Sequence, residues 1–172
     1  QFRTPQLLST ITAALKANRV SPTRLELEIT ERLLLDDLPT TKELMKQFQA
    51  MQIRLSIDDF GTGYSALSYL KKFPLNVLKI DRSFVTDLPH DPELMTLVKA
   101  IIGMAHELGL RVIAEGIETA EQLALLRAYG CDYGQGHFFS PALRPAEFRA
   151  YLMGSGKFEC CSPFNRPSLA GQ

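Results

Sequence analysis

Leu7, Leu8, Ile11 and Leu15 fall on one face of a 3.6-residue period, which predicts a helix over residues 4–15. Ser21-Pro22 interrupts it. Leu25, Leu27 and Ile29 then alternate with Glu26 and Glu28, a period of two that predicts a strand with carboxylates on its second face. Helical spacing returns with Leu44, Met45 and Phe48 inside 40–51, followed by a strand over 53–58, a short helix near 65–71 and a strand over 77–80. The most regular stretch is 93–108, where Leu94, Leu97, Val98, Ile101, Ala105 and Leu108 keep the helical rhythm until Gly109 stops it. A strand is expected over 111–115, and then a helix capped by Thr119 that runs through Leu126 and ends at Gly130. A short strand within 131–139 and a helical turn or two over 145–152 complete the pattern.

Alternating strands and helices imply parallel strands joined by helical crossovers, in an open doubly wound sheet or a closed barrel. Strands buried on both faces of an open sheet read as continuous apolar runs, whereas Glu26, Glu28, Ser56, Asp58 and Lys79 interrupt these. A barrel mouth accommodates such residues, so the expected fold is α/β, a TIM-like (β/α) barrel. Five strands are visible, whereas a closed parallel barrel uses eight in about 250 residues. The barrel is therefore expected to be incomplete here, with its N-terminal strands missing. The first residue is Gln1 rather than Met, which suggests a fragment or a processed product. Residues 1–152 are expected to form the folded part, and residues 153–172, rich in Gly, Ser, Pro and Asn, a mobile tail.

Length and charge narrow the function. A chain of 172 residues with 45% hydrophobic residues supports one core and is short for two. The 19 basic and 19 acidic residues cancel, so no overall field recruits a nucleic-acid polymer or an anionic membrane, and an anionic ligand must be held locally. No apolar run approaches the roughly 18 residues of a membrane span, so no membrane contact is expected of this segment. The cytoplasm is the expected compartment, although upstream segments could tether a longer protein. Cys131, Cys160 and Cys161 have no metal-ligand spacing and read as reduced thiols.

Strand ends converge on one face in repeated strand-helix chains, and here they carry Glu28, Asp58, Asp59, Lys79, Glu115 and Gln135. Adjacent Asp58 and Asp59 raise each other's pKa unless a positive charge stands near. All-oxygen ligands favour Mg²⁺ or Mn²⁺, and an adjacent acidic pair can bridge two ions in a phosphoryl displacement. A bare Asp-Asp pair is more often a solvated turn, a lone lysine more often a surface residue, and Glu28-Ile29-Thr30-Glu31 more often a strand running into a helix cap. It is their coincidence at strand ends that favours a site. Lys79 follows Val77-Leu78 in a strand that reads as buried, where an ammonium needs a carboxylate or phosphate partner. A rival pattern is G-x-G-x-x-A over residues 61–66, with Asp81 near the distance of a ribose-binding acid, which would suit a nicotinamide-dependent oxidoreductase. Against it, Asp58 and Asp59 would repel a pyrophosphate there. His90 and His106 show no ligand partners in the sequence and are left unassigned.

The segments LELEITE, IDDFGTGYSAL, LKIDRSFV, VIAEGIETAEQ and CDYGQGHFFSPAL resemble, in order and spacing, the EAL family of bacterial cyclic di-GMP phosphodiesterases. The resemblance covers residues 1 to about 152 and implies a barrel enzyme that hydrolyses cyclic di-GMP to linear pGpG with two Mg²⁺ or Mn²⁺ ions. It implies that Glu28 binds the first metal, that Asp58 bridges both and that Asp59 holds the second. By the same resemblance Lys79 positions the water and offsets phosphate charge. Glu115 serves as base or second-metal ligand, Glu118 orients the site, Gln135 holds water or substrate, and Glu31 fastens the loop after Asp59. Homodimerisation and coupling to upstream regulatory domains are implied as well.

The sequence departs from the family in two places. The Glu-Ala-Leu segment and the Asn of Asn-Leu-Ser, two expected metal ligands, are absent from it, and His137 stands where the family commonly has Tyr. Residues 1–172 alone are accordingly expected to be inactive. A regulatory domain that binds cyclic di-GMP without cleaving it is the alternative, and the nicotinamide enzyme a third.

Overall fold

The computed structural model describes residues 2, 4, 6–35, 39–61 and 70–154. Two compact units are present, residues 1–79 with 108–110 and residues 80–107 with 111–172.

In the first unit, α1 (Leu7–Asn18) carries the predicted stripe, with Leu7, Leu8, Ile11 and Leu15 each half-buried. It ends at a left-handed Arg19, where the N–H groups of Arg19 and Val20 return to the carbonyls of Lys16 and Leu15. A 3-10 turn at Pro22–Arg24 leads into β1 (Glu26–Thr30), which passes directly into α2 (Glu31–Leu35). Next come α3 (Pro39–Ala50) and β2 (Arg54–Phe60), which pairs parallel with β1, Glu26 opposite Arg54 and Thr30 opposite Asp58. The inner face of α3 is Thr41, Met45 and Phe48, while Leu44, expected on that face, is only half-buried. The Phe48 ring meets Phe2 edge-on at 6.0 Å. Burying a side chain such as Met45 or Phe48 contributes about 1.5–3 kcal/mol. Leu55, Ser56 and Ile57 are all buried, so β2 is covered on both faces at its centre. Every residue of β3 (Val77–Ile80) is buried, Lys79 included. Asn76 sets its start: its N–H donates to the Leu55 carbonyl (2.8 Å) and its side-chain oxygen accepts from the Leu55 N–H (2.9 Å). Of the helix expected near 65–71, residues 65–69 lie outside the described residues, and Leu70 is helical and buried.

In the second unit, Asp81 caps a 3-10 turn at Arg82–Phe84 by accepting from the Ser83 N–H (3.0 Å) and hydroxyl (2.6 Å). The Ser83 hydroxyl bond is the main cause that holds the Asp81 carboxyl below its usual range. α4 (Pro92–Glu107) begins where Asp91 accepts from the N–H groups of Glu93 and Leu94. Its core face is Val98, Ile101, Ile102 and Ala105. Leu97, expected on that face, is 46% exposed, because the apolar arc turns towards Ile102. β4 (Arg111–Ala114), α5 (Ala120–Ala128), β5 (Tyr133–Gly134) and α6 (Pro145–Gly154) follow. β5 runs parallel to β4, Ile113 opposite Tyr133 and Ala114 opposite Gly134. The strand expected within 131–139 is only two residues long. The chain beyond it turns onto the loop after β4, where the Gln135 carbonyl accepts from the Ile117 N–H.

Within the first unit the strands are hydrogen-bonded in the order β1-β2-β3, and within the second β4 lies beside β5, each strand next to its neighbour in sequence. α6 extends two residues past Leu152, and residues 155–172, with Cys160 and Cys161, lie outside the described residues. Among the described residues no helix is long and apolar enough to cross a membrane.

Candidate functional site

In the first unit, three consecutive strands bring Glu28, Asp58 and Lys79 together. The Lys79 ammonium lies 2.7 Å from Glu28 Oε1 and 3.0 Å from Asp58 Oδ1. Its side chain is 6% exposed, against 54% for Glu28 and 23% for Asp58, so the cation is sunk while one carboxylate reaches solvent. A buried ammonium needs such partners. Asp58 Oδ1 is itself shielded from solvent, and its contact with Lys79 lacks hydrogen-bond alignment, so this oxygen has no hydrogen-bond donor among the described residues. Such an atom is one that a further cation would satisfy. Oxygen-only donors fit a hard divalent ion, although among the described residues no three His, Cys, Asp or Glu side chains cluster closely enough to hold a metal by themselves.

Asp59 is exposed and takes a left-handed backbone, φ 54°. That breaks the strict in-out alternation of the strand just after Asp58. The next turn is tied back by Glu31, 4% exposed, whose Oε2 accepts from the Gly61 N–H at 3.1 Å. The rest of the glycine-rich loop, residues 62–69, lies outside the described residues.

In the second unit, Glu115 follows β4 directly, and its N–H donates to the Ile80 carbonyl (3.1 Å). The loop it opens is tightly fitted. Gly116 has φ 72°, and a Cβ there would stand 2.5 Å from Arg82 Cβ. Ile117 is fully buried and bonds through both backbone groups, its N–H to Gln135 and its carbonyl to the Phe138 N–H. A Cβ on Gly136 would collide with the Ile117 backbone, so only glycine fits after Gln135. Glu118 and Gln135 have exposed side chains, as does His137. Beside Gln135 opens a cleft of about 580 Å³, lined also by His137, Phe139, Phe148 and Tyr151, within the range of small-molecule sites.

The profile of the EAL domain family matches residues 1–142. The chain belongs to the EAL domain family. The cyclic di-GMP phosphodiesterase NbdA of Pseudomonas aeruginosa is 41% identical over 91% of this chain and 20% of its own length. The solved structure of the MucR phosphodiesterase of the same species in complex with c-di-GMP is 37% identical and superposes with a TM-score of 0.81 over 86% of this chain and 60% of that one. The manganese/cyclic di-GMP complex of BlrP1 from Klebsiella pneumoniae is 29% identical with a TM-score of 0.76, over 81% of this chain and 36% of that one. This EAL chain spans about a fifth of the length of the curated relatives it matches. The likeness establishes an α/β fold of the TIM-like barrel type, of which five strands are seen here. It leaves the nicotinamide reading without support, and the Asp81 carboxylate set aside for a ribose is engaged by Ser83.

Two features of this EAL domain escaped sequence reasoning. His106, which showed no partner in the sequence, lies 2.8 Å from Asp132 through Nε2, and the same Asp132 oxygen accepts from the Val112 N–H. Only the fold joins positions 26 apart. Gln122 is buried at 4% exposure and its side-chain amide makes four hydrogen bonds. Thr119 followed three residues later by Gln is a capping-box signature, so half of its role was visible.

Proposed function

We propose that this EAL domain serves a metal-dependent phosphodiesterase that opens one phosphodiester of cyclic di-GMP to give linear pGpG. The observation that carries the proposal is the buried Lys79 ammonium between Glu28 and Asp58 at adjacent strand ends. NbdA, MucR and BlrP1 support the substrate, and the BlrP1 complex supports the use of a divalent cation. Glu28, Asp58, Asp59 and Glu115 would hold the cations, Mg²⁺ or Mn²⁺, which when bound stabilise charge on the attacking and leaving oxygens. Lys79 offsets phosphate charge and orients the attacking water. As the water oxygen bonds to phosphorus its proton passes to a general base, the role that Glu115 takes unless it serves as second-metal ligand; the bond from phosphorus to the ribose oxygen breaks, and the released oxygen takes up a proton from solvent. Glu118 orients the loop on which Glu115 stands, and Gln135 holds water or substrate beside the cleft. Glu31 anchors the loop after Asp59. The intact protein is proposed to act in the cytoplasm as a homodimer with upstream regulatory domains.

The test compares binding with turnover in the full-length protein. Lys79→Ala is expected to lower kcat by about a hundredfold or more, the scale for removing an electrostatic stabiliser, while cyclic di-GMP is still bound in equilibrium dialysis. A wild-type protein that binds cyclic di-GMP and never cleaves it with either metal would instead be a sensor.

A further inference from the structure

We infer that Gln122 is a positioning residue for Glu115 and Glu118, acting through four backbone groups on two loops. Its Oε1 accepts from the N–H groups of Glu118 (2.7 Å) and Thr119 (3.0 Å), and its Nε2 donates to the carbonyls of Val85 (3.1 Å) and Thr86 (3.1 Å). A primary amide offers two donor hydrogens and one oxygen with two lone pairs, so its whole capacity is used. Capping α5 requires only the bond to Thr119, together with the bond from the Gln122 N–H to Thr119 Oγ1. The two donor bonds lie beyond that need. They fasten the loop after β4, which bears Glu115 and Glu118, to the turn after β3, where Arg82 already abuts Gly116. From the other side the same loop is gripped through Ile117 by Gln135 and Phe138. The segment 115–119 is therefore clamped at both flanks, and the amide of Gln122 bridges it to residues 85 and 86.

This inference rests on the phosphodiesterase reading for its kinetic consequence, though not for its structural one. Gln122→Glu keeps the acceptor that capping needs and replaces both donors with a carboxylate oxygen facing the carbonyls of Val85 and Thr86. Gln122→Leu loses both halves, and Thr119→Ala weakens the cap alone. In the full-length protein, Gln122→Glu and Gln122→Leu are expected to lower kcat by roughly tenfold to a hundredfold, the scale of a misplacement of about 1 Å. KM for cyclic di-GMP should stay within about threefold, and Thr119→Ala should retain near-normal kcat. Hydrogen exchange of the amides at 115–119 should quicken about tenfold or more in the two Gln122 variants, with the amides of α4 unchanged. Unchanged exchange at 115–119 in a folded Gln122→Leu protein overturns the inference, as does a Gln122→Glu enzyme with wild-type kcat. A wild-type protein inert towards cyclic di-GMP would defeat the functional reading alone, and the exchange rates would then decide the role of Gln122.

Discussion

Asp59 stands immediately after a carboxylate that faces a buried ammonium, in a backbone conformation that costs an L-residue roughly 1–2 kcal/mol. Aspartate tolerates it better than most. Asp59→Ala should therefore be less stable than Asp59→Gly by about 1 kcal/mol, both variants lacking the aspartate's own contacts. Urea unfolding of the pair decides it, and equal midpoints would show that the left-handed turn carries no strain. Cys131 gives a second prediction at this scale. Burial pushes its thiol up to about 12 from an ordinary 9.0. The folded protein thus keeps a proton that the unfolded chain releases above pH 9, so stability is untouched below that point and falls as pH rises from 9 towards 12. The slope from one such group approaches about 1.4 kcal/mol per pH unit. Wild type and Cys131→Ala should accordingly diverge in unfolding free energy between pH 8 and 10.5, and parallel profiles would contradict the assignment.

At the scale of elements, α4 separates what periodicity reveals from what packing decides. Leu97→Gln should shift stability by less than about 0.5 kcal/mol, since Leu97 is exposed, whereas Ile102→Ala should cost about 2–5 kcal/mol, since Ile102 is 1% exposed. Thermal and urea unfolding of both variants checks the contrast, and equal losses would place the core face where the sequence put it. The helical period of 93–108 was legible, but the expected stripe ran through Leu97 and left out Ile102, because periodicity alone does not say which edge of an apolar arc is buried. The strand at 77–80 was legible in full because its apolar residues bracket a lysine that can be buried only with a partner. Gln122 was half legible: Thr119 three residues ahead marks the cap, and no local pattern marks the carbonyls of Val85 and Thr86. The same limit hid the pairing of His106 with Asp132, a matter of chain topology.

For the whole molecule, the strand ends emerged early because carboxylates and a lysine on otherwise apolar strands make no sense in a core and good sense at a barrel mouth. The cluster Glu28, Lys79 and Asp58 fits that logic within the first unit, and the clamped loop of Glu115 and Glu118 and the cleft beside Gln135 fit it within the second. The chemistry proposed for the intact protein rests on oxygen ligands and the buried Lys79 ammonium. Product analysis of cyclic di-GMP incubated with the full-length protein, with Mg²⁺ or Mn²⁺ and with or without excess chelator, tests that claim most directly. Conversion to linear pGpG with either metal, abolished by chelator and restored by adding metal back, is the expected result. Undiminished turnover in chelator, or intact cyclic di-GMP under every condition, would contradict it.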